Sequence, residues 1–164
     1  MKSKLFIACM GVLLAGCTSL GKPYPFPKDS EPSADVRIKG NGIYLISFND
    51  KDCYAGKTLV DGTPNSTPVK VVPDQPLVIS YEGDGCMMQA KFTPRKDTHY
   101  LMVAQEGLAP SDPNRSWLSA FAHAGDYQCI MAAIEVDNDG HPLTPVKLRK
   151  VSPHQKGLTC IKLR

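Results

Sequence analysis

Asp50, Asp52, Glu82 and Asp84 are the carboxylates of this 164-residue chain whose clustering in two loops could do chemistry. Brought together, such groups divide the work of general acid and general base, or hold a cation or a basic partner. Exposed loop carboxylates are more often simply solvated. Ser119 and His123 stand four residues apart in a segment of helical pattern, close enough to hydrogen-bond. Nucleophilic catalysis also needs an orienting acid and an oxyanion hole, and no G-x-S-x-G turn is present. His99, His123, His141 and His154 are dispersed, with neither H-x-x-x-H nor H-E-x-x-H spacing. Asp137-Asn138-Asp139-Gly140 begins like a calcium loop but lacks the alternating register and the closing bidentate Glu, so it reads as a hairpin turn. These residues predict no catalytic site, no metal and no cofactor.

The remaining reactive groups are the cysteines. Cys53, Cys86, Cys129 and Cys160 form no C-x2-C pair and adjoin no histidine at zinc-ligand spacing. An even number of dispersed cysteines outside the reducing cytosol predicts two disulfides. Cys53–Cys86 and Cys129–Cys160 is the expected pairing. If GIYLISF (42–48) and LVISY (77–81) run parallel, the loop after the first and the turn after the second share one rim, and the two acidic clusters share it with them. Cys86–Cys129 is the strongest competing pair.

Such residues act only where the chain positions them. Short apolar segments punctuated by 13 Gly and 14 Pro favour β-structure over a helical bundle. Strands are expected at DVRI (35–38), GIYLISF, KTLV (57–60), TPVKVVP (67–73), LVISY, the alternating stretch through Met88, Ala90 and Phe92, HYLMVA (99–104), CIMAAIEV (129–136), PVKLRKV (145–151) and TCIKLR (159–164). GIYLISF is apolar on both faces and therefore central. So many short strands in one domain predict an all-β fold, a two-layer β-sandwich over residues 35–164. One short helix is expected within it at 112–124 (DPNRSWLSAFAHA), with Asp112 at the N-cap, Pro113 at N1 and Gly125 as the stop. Trp117 and Phe121 fall on its apolar face. They cap the core in the simpler reading and form a partner-binding surface in the sharper one.

The N-terminus carries a different signal. Lys2 and Lys4 precede an apolar run from Leu5 to Leu14, too short to cross about 30 Å of hydrocarbon as a helix. Leu14-Ala15-Gly16-Cys17 resembles the lipobox of bacterial lipoproteins. The resemblance implies a signal peptide over 1–16, with Cys17 carrying a diacylglyceryl thioether and then an N-acyl chain after cleavage. Two or more chains anchor stably, at about 0.8 kcal/mol for each buried methylene. Thr18 stands where an Asp would resemble an inner-membrane retention signal, which implies the outer membrane. Residues 17–34, with four prolines after Cys17, are expected as an extended tether whose Tyr24 and Phe26 could reach the headgroups. Loss of Lys2 and Lys4 takes Lys+Arg from 19 to 17 against 16 Asp+Glu. The mature chain thus has no basic stripe for nucleic acid.

The order Val36-Arg37-Ile38, Asp52-Cys53-Tyr54, Cys86, Phe92-Thr93-Pro94, Tyr100, then Cys129 opening a strand through Glu135-Val136 resembles a group of small, mostly uncharacterised envelope lipoproteins. It implies a disulfide-linked β domain and carries no activity with it. The expectation is a lipid-anchored, non-enzymatic protein that binds another envelope component, facing the periplasm or the surface. An enzyme acting on envelope material through Asp50, Asp52, Glu82 and Asp84 is the alternative. Ser80-Tyr81-Glu82-Gly83 has the wrong order for the Ser-Gly-x-x-Tyr motif of lysozyme-inhibitor lipoproteins.

Overall fold

The computed structural model describes residues 19–60, 62–63, 66–108 and 127–164. Thirteen strands run through them: β1 (Ser19–Gly21), β2 (Ala34–Lys39), β3 (Ile43–Phe48), β4 (Tyr54–Val60), β5 (Val69–Val71), β6 (Leu77–Glu82), β7 (Met87–Phe92), β8 (His99–Leu108), β9 (Tyr127–Val136), β10 (Pro142–Val146), β11 (Arg149–Lys150), β12 (Pro153–Lys156) and β13 (Cys160–Leu163). The fold is all-β. A six-stranded sheet, ordered β1-β4-β3-β6-β7-β11, lies against a five-stranded sheet, ordered β10-β9-β8-β2-β5, and β12 and β13 form a separate hairpin. The helix expected at 112–124 lies outside the described residues, as do Cys17, Trp117 and Phe121.

Period-2 alternation explains which side chains face inward. Val36 and Ile38 from β2 and Tyr100, Met102 and Ala104 from β8 point out of the five-stranded sheet into the interior. They meet Ile43 and Leu45 of β3 and Leu77, Ile79 and Tyr81 of β6 in one buried cluster. The arrangement is sandwich-like. Phe92 and Tyr100 close the core edge to face, their ring centroids 5.2 Å apart, and the Tyr100 hydroxyl accepts the Arg95 N–H at 2.9 Å.

The double-sided apolarity of GIYLISF has its reason in this architecture. β3 lies between β4 and β6, and its outward Ile46 is buried with Val78 and Val151 in a second cluster, with Phe48 and Leu163 packed against it. The β12–β13 hairpin supplies Leu163 and thereby covers the outer face of the six-stranded sheet. The single strand expected at 145–151 is two: β10 pairs with β9 in one sheet, and β11 pairs with β7 in the other. The chain crosses between layers at Lys147-Leu148, where Leu148 packs against the main core. Pro142 and Pro145 sit in an edge strand, where a missing N–H breaks no inner ladder.

The segment read as a tether is laid along the domain from Ser19 onward. β1 pairs with β4, the Lys22 N–H donates to the Ala55 carbonyl at 3.0 Å, and the Tyr24 N–H donates to Thr58 Oγ1 at 2.8 Å. Tyr24 is buried, and its hydroxyl accepts the Val72 N–H at 3.2 Å. It is therefore a core residue, not a headgroup contact. Burial pushes its phenol pKa up, against the smaller downward pull of the Val72 N–H. Lys70 pairs with Asp29 at 2.7 Å further along the same segment.

The two ends of the sandwich are distinct. At one, which we call the glycine end, lie Gly40–Gly42, Gly62, the turn after β6 and the last residues of β8. At the other, the aspartate end, lie the turns around Asp52, Asp74, Asp97 and Asp137. β3 and β6 are antiparallel, with Ile43 opposite Tyr81 and Leu45 opposite Ile79. The loop after β3 and the turn after β6 therefore sit at opposite ends.

Candidate functional site

That antiparallel register separates the acidic residues. Asp50 and Asp52 occupy the turn after β3, at the aspartate end. Asn49 organises this turn by accepting the Lys51 and Cys53 N–H groups, each at 3.0 Å, and Asp52 takes φ 56°. The Asp52 carboxylate stands 3.7 Å from Lys162 Nζ. Glu82 ends β6 at the glycine end and meets Lys57 Nζ through both oxygens, at 2.7 and 2.5 Å. Lys57 in turn lies 4.2 Å from the Tyr44 ring centroid, so this carboxylate is neutralised within the sheet. Asp84 follows in the next turn, where Glu106 accepts the Gly85 N–H at 2.8 Å. The four carboxylates share no rim and make no acid–base pair.

The same register corrects the disulfide pairing. The bridges are Cys53–Cys160 and Cys86–Cys129, with Cα separations of 5.2 and 5.6 Å. Cys86 precedes β7 in one sheet and Cys129 lies near the start of β9 in the other, so their bridge ties the two layers together at the glycine end. β7 and β9 belong to different sheets, so this bridge is the covalent link between them. Cys53–Cys160 instead fastens the terminal hairpin to the turn after β3. All four cysteines are used, as the even count suggested.

The histidines among the described residues are dispersed. His99 Nδ1 stands 3.2 Å from Asp35, and His141 Nδ1 stands 3.1 Å from Asp137. His154 lies on β12, and His123 lies outside the described residues, with Ser119. Asp137, Asp139 and His141 offer ligand atoms within 4.8 Å of one another. The Asp137 carboxylate, however, already accepts the Asp139 N–H at 2.9 Å and the His141 N–H at 2.8 Å. These bonds close the β9–β10 turn, and Gly140 completes it at φ 87°. The His141 N–H is the main influence holding the Asp137 pKa below its ordinary value. This is turn chemistry.

Two concavities lie on opposite faces. A small one of about 100 Å³ on the five-stranded sheet is bordered by Asp35, Arg37, His99 and Asp137. A larger cleft of about 570 Å³ runs beside β13 on the six-stranded sheet, between Phe48, Val78, Lys91, Lys162 and Leu163. Neither gathers a nucleophile with a base.

The side chains best placed to meet another molecule are apolar. The hairpin carries Leu158 at its turn, 97% exposed, and Ile161, 45% exposed. With Pro153 and Gln155 they line a groove of about 380 Å³. The alternation of apolar and polar residues could not have found this surface, since TCIKLR reads as an ordinary terminal strand. β12, which creates the projecting hairpin, has the polar sequence Pro-His-Gln-Lys and is exposed throughout.

Comparison of this chain with protein-family models, with curated proteins and with solved structures finds no match. A small β-rich domain with two disulfides is the part of the expected likeness that stands. Among the described residues no helix is long and apolar enough to cross a membrane.

Proposed function

We propose that this chain is a lipid-anchored protein of the bacterial envelope, held at the outer membrane through Cys17, whose β domain binds another envelope protein and performs no catalysis. The leader ending in Leu14-Ala15-Gly16-Cys17 supports the anchoring, and two disulfides suit an oxidising compartment. In this reading, residues 1–16 are the leader and the sandwich fold, completed by the 112–124 helix, is the binding module. The observation that carries the binding role is the hairpin. An apolar residue as exposed as Leu158, at the tip of an element covalently fastened to the domain, is presented at low entropic cost to a partner. The enzymatic alternative needs Asp50, Asp52, Glu82 and Asp84 at one rim, and the antiparallel β3–β6 register separates them.

Capture from envelope extract in mild detergent tests the proposal. Wild-type protein is expected to retain a partner in stoichiometric amount, and Leu158→Glu combined with Ile161→Glu is expected to lose it while keeping the wild-type unfolding midpoint. Turnover of peptidoglycan or envelope glycans by the purified protein overturns the proposal.

A further inference from the structure

β1 begins two residues after Cys17 and is already paired at its first residue. Ser19 lies opposite Thr58, Leu20 opposite Lys57 and Gly21 opposite Gly56. Two residues of extended chain span at most about 7 Å. Whatever is attached to Cys17 is therefore held close to the Ser19 end of β1. Because β1 runs antiparallel to β4, that end is where β4 finishes at Val60, the glycine end.

The same end carries uncovered apolar side chains. Leu59, beside Thr58, is 51% exposed; Met87, opposite Glu82, is 64% exposed; Ile130, next to Cys129, is 39% exposed. Leu59 and Met87 come from β4 and β7 of the six-stranded sheet and Ile130 from β9 of the five-stranded sheet, so both layers contribute at this end. Among the described residues, the charged groups there are Lys39, Asp84, Glu106 and the mutually neutralised Lys57–Glu82 pair. These described groups carry no basic excess to attract anionic headgroups, so in this proposal contact with a membrane rests on apolar side chains and the anchor.

From this register we propose that the domain sits directly on the phospholipid surface, with the Leu59–Met87–Ile130 rim against the headgroups and no free tether between. The inference rests on lipidation of Cys17. Its consequence is orientation. The Cys53–Cys160 bridge places the hairpin attachment at the aspartate end, so Leu158 is presented away from the bilayer.

The test uses the full, processed chain in phosphatidylethanolamine–phosphatidylglycerol vesicles, with single thiols introduced as Met87→Cys, Leu59→Cys or Leu158→Cys and probed with a membrane-impermeant maleimide. Two rim positions guard against one variant failing to fold. Modification at the rim is expected to be slower than at Leu158→Cys by on the order of tenfold, as for side chains settled at the headgroup boundary. A Gly-Ser insert of about ten residues between Thr18 and Ser19, reaching roughly 17 Å, is expected to abolish the difference. Raising the salt concentration is expected to leave the protection intact. Palmitate labelling of the same proteins reports the anchor separately. Labelled protein whose rim thiols react as fast as Leu158→Cys overturns the orientation and leaves the anchoring standing. Unlabelled protein overturns both.

Discussion

At the glycine end, a Cβ on Gly62 would stand 1.7 Å from the Gly40 carbonyl oxygen, and the Gly40 N–H donates to the Gly62 carbonyl at 3.2 Å. At the opposite end, the turns at Asp52, Asp74 and Asp97 each take a left-handed conformation, with φ between 55° and 58°, although none of the three is a glycine. One end is closed by backbone laid directly on backbone and by a bridge between sheets. The other is closed by turns whose polar side chains satisfy their own main chain, as Asn49 and Asp137 do. Steric closure tolerates no added atom, whereas polar closure tolerates substitution wherever the turn hydrogen bonds survive.

The bridges give the largest expected effects. On the chain-entropy model, removing Cys53–Cys160 as a double serine variant costs about 5 kcal/mol for its 107-residue separation, and removing Cys86–Cys129 about 4 kcal/mol for its 43-residue separation, both as upper values. Chemical denaturation measures these losses, and hydrogen exchange separates the two variants. Without Cys53–Cys160 the hairpin is held mainly by Leu163 against Ile46 and Val78, so amides of residues 154–163 are expected to open far below the global free energy. Without Cys86–Cys129 protection falls throughout. Hairpin amides that stay protected to the global limit in the first variant break the contrast.

Gly62→Ala sharpens it. The methyl group must displace backbone, which typically costs about 1–3 kcal/mol. Asp97→Gly at the other end removes a left-handed non-glycine residue and is expected to stay within about 0.5 kcal/mol of wild type, the relief offset by added freedom in the unfolded chain. Equal losses at the two sites, measured by urea midpoint, undo the distinction.

A modest effect belongs to the segment from Ser19 to Ala34 that straps the domain between its ends. Tyr24→Phe keeps the ring but leaves the Val72 N–H without its acceptor, a loss of about 1 kcal/mol. The Tyr24 phenol has a folded pKa raised above its ordinary 10.0 by burial. A raised pKa contributes stability that is fully present below the unfolded value and is lost as pH rises through the folded one. Wild-type stability is therefore expected to fall above pH 10.0, and Tyr24→Phe to fall less steeply, with Tyr81, whose phenol burial also raises, accounting for part of the remainder. Parallel profiles for the two proteins assign the alkaline loss elsewhere.

Much of the strand inventory was legible. GIYLISF announces itself as central by being apolar on both faces, and it lies inside the six-stranded sheet with LVISY as its neighbour. The turn at Asp137–Gly140 is legible because Asp and Gly have the local hydrogen bonding and backbone freedom that it needs. β1 was not, since Ser-Leu-Gly carries no period and is a strand only because the β4 edge receives it. Nor was β12, whose Pro-His-Gln-Lys has no inward face of its own. The candidate site fared worse: the four carboxylates expected at one rim lie at opposite ends, and the hairpin that exposes Leu158 was not foreseen.

The chain's residues alone determine that the fold is built of short strands, that four cysteines are available for two bridges and that an apolar run from Leu5 to Leu14 stands just before Cys17. These follow from local alternation, count and adjacency, which no packing alters. Which cysteines meet, and which carboxylates, depends on whether β3 and β6 run parallel or antiparallel. Either direction puts the same residues inward, because side chains alternate identically in both. The choice is made by the loops that carry the chain from one sheet to the other. Through β3 and β6 it places Cys53 with Cys160 at one end, Cys86 with Cys129 at the other, and the acidic clusters at opposite ends.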